Sequence, residues 1–337
     1  MDELLSTFIQ KANLLSKWKL CGIEMPKIGV VGVGGWGKNH LRVLNDLGAL
    51  SCFCDTDEVK IKIFEERYQV KGYKRLDDML KNEKLDAVTI CTPSSTHYEI
   101  AEKTIKSGLD TFVEKPLTYK SIEGERLVEL AKEKNVILTV GFIERFNPAI
   151  IELKNLLKSG KLGEPLLLEL HRENVWTGKV KDVGVIMDTS VHDIDTARWI
   201  FEEEPKLTFA RTGKVLNEHE GPDFAAITLG FSNQKTAFIV ANWLTPKKIR
   251  ELEVVCIRGI VTIDFITQEL RIDSDEGTII PRKKWEEPLL IELKDFIRCI
   301  KERSEPMVKG LDGVNVTKIV EASMISHETG SPIYLNL

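Results

Sequence analysis

The chain has 337 residues, 42% apolar and 29% charged, the balance of a folded globular protein of about two domains at roughly 100–200 residues each. The net charge is −5 and no block of Lys or Arg occurs, which excludes the electrostatic footprint of a nucleic-acid binder. No apolar run approaches the roughly 18 residues of a membrane span and no signal-peptide pattern opens the chain, so a cytoplasmic protein is expected.

Residues 1–25 form an N-terminal extension. "MDELLSTFIQKANLLSKWKL" places Leu4, Leu5, Phe8, Ala12 and Leu15 at helical spacing and leads to Met25-Pro26-Lys27, where the first regular strand begins. An upstream start codon that adds a tail fits this stretch, and so does a helix that packs on a partner subunit. From Lys27 the pattern alternates. "KIGVVGVGGWG" predicts a strand feeding a glycine loop, "WGKNHLRVLNDL" a helix and "ALSCFCD" a second strand. "DEVKIKIFEERY" continues as a helix, "LDAVTICTP" as a buried strand and "THYEIAEKTIKSG" as a helix closed by Gly108. "DTFVEK", "SIEGERLVELAKEKN" and "VILTVGF" complete the series as strand, helix and strand. Strands alternating with helices of this length predict βαβ units and a parallel sheet, here a nucleotide-binding domain over residues 26–147.

Cys52 and Cys54 are the only close pair among six cysteines, and no second Cys/His cluster accompanies them. They lie two apart on a strand, on one face, and read as small apolar residues. No metal site is expected.

Gly32, Gly34 and Gly37 give G-x-G-x-x-G between strand and helix. Gly32 serves the tight turn, Gly34 the approach of a pyrophosphate and Gly37 the close packing of helix on strand. Gly35 and Trp36 complete the loop, and the helix N-terminus beyond offers N–H groups to phosphate. Asp55 ends the second strand, where a carboxylate accepts from both adenosine ribose hydroxyls and repels a 2′-phosphate. NAD is therefore the expected cofactor, with Lys60 the one nearby cation against it.

With Glu114-Lys115-Pro116 after the strand "DTFV", "TPSSTH" at 92–97 and "DVGVIMDTSVH" at 182–192, the chain from about Pro26 onward resembles the Gfo/Idh/MocA family of dehydrogenases. The resemblance implies an α/β fold: an N-terminal Rossmann domain, then an α/β domain over 148–337 with an open, mostly antiparallel sheet. Segments such as "EPLLLELHRE", "DFAAITLGFS", "KTAFIVANWL" and "GIVTIDFI" fit such a sheet, and "LLIELKDFIRCIKERS" is expected to pack back near the first domain. It also implies a homodimer or homotetramer assembled through that sheet.

Residue roles follow by position. Lys115 matches the family's lysine beside nicotinamide and reacting hydroxyl, and an ammonium there stabilises a developing alkoxide. Glu114 is expected to orient Lys115, with a cofactor contact as the alternative, and the Lys115–Pro116 peptide has either isomer open to it. Thr92 and Pro93 border the cofactor and His97 matches the family's histidine. Ser94, Ser95 and Thr96 read equally as helix caps or cofactor contacts.

"DVGVIMDTSVHDIDTARWI", 182–200, reads as an amphipathic helix on which Asp188, His192 and Asp195 stack at i, i+4 and i+7. Alone, such a stack is a solvated strip. Within the resemblance, His192 is the acid–base residue, Asp188 an orienter or substrate ligand, and Asp195 a support for helix or imidazole. Val183-Gly184-Val185 replaces the glycine triplet of many members, and "GFIERFNPAI" points to the branch acting on nucleotide-linked N-acetyl sugars. Arg145 and Asn147 are then candidates for cofactor-edge or substrate contacts, and Arg172 and Lys179 for a diphosphate. The activity implied is NAD-dependent oxidation of a secondary sugar hydroxyl, the 3-hydroxyl of a UDP-N-acetylhexosamine first among them. A free-polyol dehydrogenase of the inositol type and a catalytically silent NAD-binding regulator are the rivals.

Overall fold

A computed structural model describes residues 24–178, 183–216, 219, 221–282 and 284–337. Lys179 and nearly all of the N-terminal extension lie outside the described residues. The chain forms two compact units, and they are not divided by a single cut near residue 147. The first takes the described residues up to Glu114 together with Glu129–Thr139 and Leu293–Pro306. The second takes Lys115–Val128, Val140–Glu292 and Met307–Leu337.

The first unit begins with β1 (Ile28–Val31), α1 (Gly37–Leu47), β2 (Leu50–Cys54), α2 (Glu58–Tyr68) and β3 (Lys71–Tyr73). It continues with α3 (Leu76–Asn82), β4 (Ala87–Ile90), α4 (His97–Lys106) and β5 (Asp110–Val113). Helix α5 (Ser121–Lys134) runs from the second unit back into the first and leads to β6 (Leu138–Val140). The sheet order is β3-β2-β1-β4-β5-β6, with β1 parallel to both β2 and β4. This is the doubly wound order, which places the loops after β1 and β4 side by side at the carboxyl edge. β1, β4 and β5 are buried along their whole length, as strands covered on both faces must be, and their apolar runs therefore carry no alternation. Burial also pushes the Cys52 and Cys54 thiols up to about 12, so both pack as inert apolar groups.

The second unit contains α6 (Pro148–Lys158), β7 (Pro165–Val175), α7 (Val191–Phe201), β8 (Leu207–Gly213), β9 (Phe224–Gly230) and β10 (Thr236–Asn242). β11 (Leu244–Cys256), β12 (Gly259–Asp264), β13 (Glu269–Ser274) and β14 (Gly277–Ile279) follow. After them come α8 (Pro288–Glu302), α9 (Gly310–Thr329) and β15 (Ile333–Tyr334). Nine strands form one sheet, β14-β13-β12-β11-β7-β10-β9-β8-β15. β7 and β10 are parallel, and the other described pairs in this sheet are antiparallel. One face is buried through Leu168 and Leu170 of β7, Ala237 and Ile239 of β10, and Leu252 and Val254 of β11. The opposite face leaves Phe224 and Phe238 exposed. α9 lies on the buried side, where Thr208 Oγ1 and Ser323 Oγ share a hydrogen bond of 2.8 Å. The last part of α8 joins the first unit as the sequence suggests: Phe296 meets Phe112 edge to face at 5.7 Å between ring centroids.

Candidate active site

In the first unit, β1 opens into the glycine loop. Gly32 has φ +82°, in the left-handed region, and a Cβ there would come within 2.9 Å of the Cys91 carbonyl oxygen. A Cβ on Gly37 would overlap the Gly32 carbonyl oxygen and lie 3.2 Å from Cys91 Cβ. Gly34 and Gly35 differ from these, since a Cβ on either meets nothing within 4 Å. They border open space at the start of α1, whose N-terminus has no side-chain cap among the described residues. Trp36, at that N-cap, is exposed. Asp55 accepts from Val33 N at 2.8 Å and from Asp57 N at 2.9 Å, so its carboxylate is fixed, with lone pairs remaining for ribose hydroxyls. Lys60 Nζ stands 3.9 Å from Asp55 Oδ1, too far for a hydrogen bond. A turn, an uncapped helix start with open space beside it, and a fixed carboxylate are the parts a dinucleotide requires, and the cofactor of this chain is NAD.

The other cofactor-edge candidates follow β4 and β5. Thr96 Oγ1 donates to the Pro93 carbonyl at 2.7 Å and lies within hydrogen-bond distance of Thr92 Oγ1 at 2.8 Å. Thr96 therefore does not cap α4 through its side chain, and Ser94–Thr96 form a 3-10 turn. His97 is buried with Nε2 2.9 Å from the Thr92 carbonyl oxygen. Glu114 Oε1 meets Nε2 of the buried His40 at 2.9 Å. Glu114 thus turns toward a histidine that sequence reading passed over. The Lys115–Pro116 peptide is cis.

In the second unit, Lys115 Nζ donates to Asp188 Oδ1 at 2.9 Å and to the Asp188 carbonyl oxygen at 2.6 Å. Thr189 Oγ1 donates to Asp188 Oδ2 at 3.1 Å and accepts from Trp243 Nε1 at 3.2 Å, which fixes the plane of the carboxylate. Burial acts to raise the Asp188 carboxyl, but the Lys115 ammonium prevails and holds it below the ordinary carboxylate value. His192 is half-buried, and among the described residues its ring makes no hydrogen bond. Burial, followed by the positive charges of Lys115, Arg172 and Arg250, lowers its pKa well below the ordinary imidazole value. The ring is neutral at pH 7 and able to accept a proton.

The backbone here departs from a single α-helix. Residues Ile186–Ser190 form a π-helical turn that runs into α7 at Val191. A π turn rotates the residues before it relative to those after it. Asp188 and His192 therefore do not continue into a stack with Asp195. Asp195 is buried elsewhere and accepts from Arg145 Nε at 2.8 Å and Nη2 at 2.5 Å. Burial alone would lower the Arg145 pKa, but Asp195 and Asp312 raise it above its ordinary value, while burial raises the Asp195 carboxyl against the pull of Arg145.

The remaining substrate candidates are committed in the same way. Arg145 stacks on Trp199 at 4.6 Å and also pairs with Asp312 at 3.0 Å. Arg172 is buried between Asp193 and Glu144, each at 2.8 Å. Asn147 caps α6 through Ala149 N at 3.1 Å and donates to the Phe265 carbonyl at 3.0 Å. Within the unit these three side chains are engaged in buried bonds, with Arg172 leaving only Nη2 without an acceptor among the described residues, and a contact of any of them with substrate stays a proposal.

Sequence reading did not find Thr189, Trp243, His40 or Arg250. Arg250 carried a signal, because it is in phase with Leu252, Val254 and Cys256 and so lies on the buried side of β11.

The chain matches two family models. "Oxidoreductase family, NAD-binding Rossmann fold" covers residues 26–142, and the Gfo/Idh/MocA C-terminal domain covers residues 150–262. A myo-inositol 2-dehydrogenase of Thermotoga maritima is 28% identical over 85% of this chain and 92% of its own. A UDP-N-acetylglucosamine 3-dehydrogenase of Acidithiobacillus ferrooxidans is 26% identical over 86% of this chain and 93% of its own. An oxidoreductase from Agrobacterium radiobacter, solved with NAD+, L-tartaric acid and magnesium, superposes with TM-score 0.86 at 18% identity, covering 92% of this chain and 98% of its own.

Proposed function

The chain belongs to the Gfo/Idh/MocA oxidoreductase family and is an NAD-dependent dehydrogenase acting on CH–OH groups, and we propose that its substrate is a nucleotide-linked sugar, the 3-hydroxyl of a UDP-N-acetylhexosamine being oxidised to a ketone. The observation that carries the reading is the Lys115–Asp188 pair beside an unbonded, neutral His192.

NAD, when bound, supplies the hydride acceptor. His192 takes the hydroxyl proton on a ring nitrogen, which its lowered pKa keeps free of protons beforehand. Lys115, held by two bonds to Asp188, places its ammonium charge at the substrate oxygen and stabilises negative charge as it develops. Asp188, oriented by Thr189 and Trp243, keeps the ammonium aimed. The oxidised carbon loses a hydride and its oxygen a proton, so the proton released ends on His192.

The similarity to myo-inositol 2-dehydrogenase supports a second reading in which the substrate is a free polyol. Mixing the protein with NAD and either UDP-N-acetylglucosamine or myo-inositol, with a carbonyl trap, separates the two by which substrate produces reduced-nicotinamide absorbance. His192→Ala and Lys115→Ala are each expected to lower kcat by about 10²–10³. Near-full turnover in both variants would sink the assignment of roles. The open sheet face with Phe224 and Phe238 supports assembly as a homodimer or homotetramer, which light scattering reads directly.

A further inference from the structure

We infer that Arg250 is an oxyanion-binding residue of the substrate site, and that it receives the diphosphate of a nucleotide sugar. The inference rests on the proposed function and names the group that would make a sugar nucleotide the preferred substrate.

Between Leu244, opposite Val175, and Ile249, opposite Glu173, β11 advances five residues while β7 advances two. The extra residues form a bulge over 245–248 containing Lys247 and Lys248, both exposed. Bulges re-aim side chains beside sites of binding. Immediately after it, Arg250 stands directly opposite Arg172 in the antiparallel pair. Cross-strand partners share a sheet face, so two guanidiniums lie next to each other there, an arrangement that repels unless anions intervene.

Arg172 has its anions, Asp193 and Glu144. Arg250 makes no direct ion pair among the described residues, although the charges of Asp193, Glu144 and Asp188 reach it: its donors go to the Glu173 carbonyl at 3.1 Å, the Ile249 carbonyl at 2.8 Å and Asn174 Oδ1 at 3.0 Å. All three acceptors are neutral. Arg172 itself leaves Nη2 buried without an acceptor. A half-buried cation that faces another cation and bonds only neutral oxygens is an incomplete pair, and a bidentate oxyanion completes it.

The place is the substrate's. Arg172, across the ladder, binds Asp193, the residue after His192 on α7. Arg250 is close enough for its charge to act on both Asp188 and His192. Burial and the facing Arg172 pull the Arg250 guanidinium down to about 10 against the opposing charges of Asp193, Glu144 and Asp188. With Lys247 and Lys248 just upstream, the local charge suits a dianionic diphosphate better than a neutral polyol.

Calorimetric titration tests this with the cofactor site filled by saturating NADH, which cannot accept a hydride, so that added pyrophosphate has only the substrate side to bind and added sugar nucleotide is not turned over. Inorganic pyrophosphate and UDP-N-acetylglucosamine are each titrated into wild type, Arg250→Gln and Arg250→Lys. Arg250→Gln is expected to weaken both ligands by about tenfold or more, Arg250→Lys by less because a point charge remains without the fork, and NAD affinity is expected to hold. Equal affinities in wild type and Arg250→Gln, or no pyrophosphate binding to wild type, would overturn the inference. Failure of the function reading shows separately, as wild-type turnover of myo-inositol and none of UDP-N-acetylglucosamine. If Arg250→Gln does not fold, the Arg250→Lys titration decides alone, and unchanged pyrophosphate and UDP-N-acetylglucosamine affinities there would count against the fork.

Discussion

Gly34 and Gly37 lie three residues apart in one loop, and alanine at each is expected to fail in opposite ways. A methyl on Gly37 overlaps the Gly32 carbonyl oxygen, a backbone atom that no rotamer change can move. Overpacking of this kind costs about 1–3 kcal/mol, and the upper end applies because α1 must shift as a whole. At roughly 2–4 °C per kcal/mol, Gly37→Ala is expected to melt about 6–12 °C lower without ligand. A methyl on Gly34 meets nothing within 4 Å, so the unliganded protein should melt within about 1–2 °C of wild type. Its defect lies in binding, because the methyl occupies the space assigned to the pyrophosphate. If affinity for NAD falls about 100-fold, then at NAD equal to 100 wild-type dissociation constants the stabilisation by ligand drops from about 2.7 to about 0.4 kcal/mol. Thermal melting with and without NAD reads both effects in one experiment, and quenching of the exposed Trp36 gives the affinity. A full NAD-induced shift in Gly34→Ala would show that no phosphate passes over that residue, and the cradle would have to be redrawn.

Three other perturbations separate chemistry from framework. Because the His192 pKa is lowered, kcat/KM should stay level as pH falls through 6.5 and decline only at lower pH; an acid limb at or above 6.5 would refute the neutral, desolvated imidazole. The same shift contributes stability that is complete above 6.5 and is lost as pH falls from there toward the folded value, because the unfolded chain takes the proton first. Asp195→Ala removes one buried partner of Arg145 while Asp312 remains at 3.0 Å, so a loss of about 3 kcal/mol in urea unfolding is expected with kcat/KM unchanged. A fall in kcat with normal stability would return Asp195 to the active site. Asp55→Ala should weaken NAD about tenfold and narrow its preference over NADP in side-by-side titrations, since both the ribose acceptor and the tie to Val33 are lost.

The Rossmann half was legible because each of its parts leaves a local mark: buried strands as apolar runs, helices as amphipathic stretches, the phosphate turn as glycines. α9 left none. Gly313, Val314, Asn315, Val316 and Thr317 are buried in succession, so the helix is covered nearly all round and has no polar face to betray its period. β13 and β14 are short and polar at the edge of the sheet, where exposure erases alternation. Asp188 and His192 stood out by residue type and spacing and Lys115 through the family resemblance, and Lys115 and Asp188 do meet. The destinations of Arg145, Asp195 and Arg172 could not be read, because a charge on a helix or strand looks the same whether it faces water or a counter-ion from a distant part of the chain. The π turn was equally silent, since it changes the winding of residues 186–190 without changing their composition.

The buried charges around α7 also bear on how the molecule is made. Arg145 and Asp195 are separated by 50 residues, Arg198 and Asp312 by 114, and Arg145 and Asp312 by 167. A ribosome delivers both arginines, Asp195 and Glu204 long before it delivers Asp312, so a nascent chain holds two cations against two carboxylates and lacks only the third. The helix that begins just after Asp188 and carries His192 thus gains its last carboxylate only near the end of synthesis, and contacts of such separation form slowly. The buried charge network is complete only late in the life of each chain, after Asp312 has emerged, and a protein interrupted earlier would carry its cofactor cradle beside a helix not yet fully held in place.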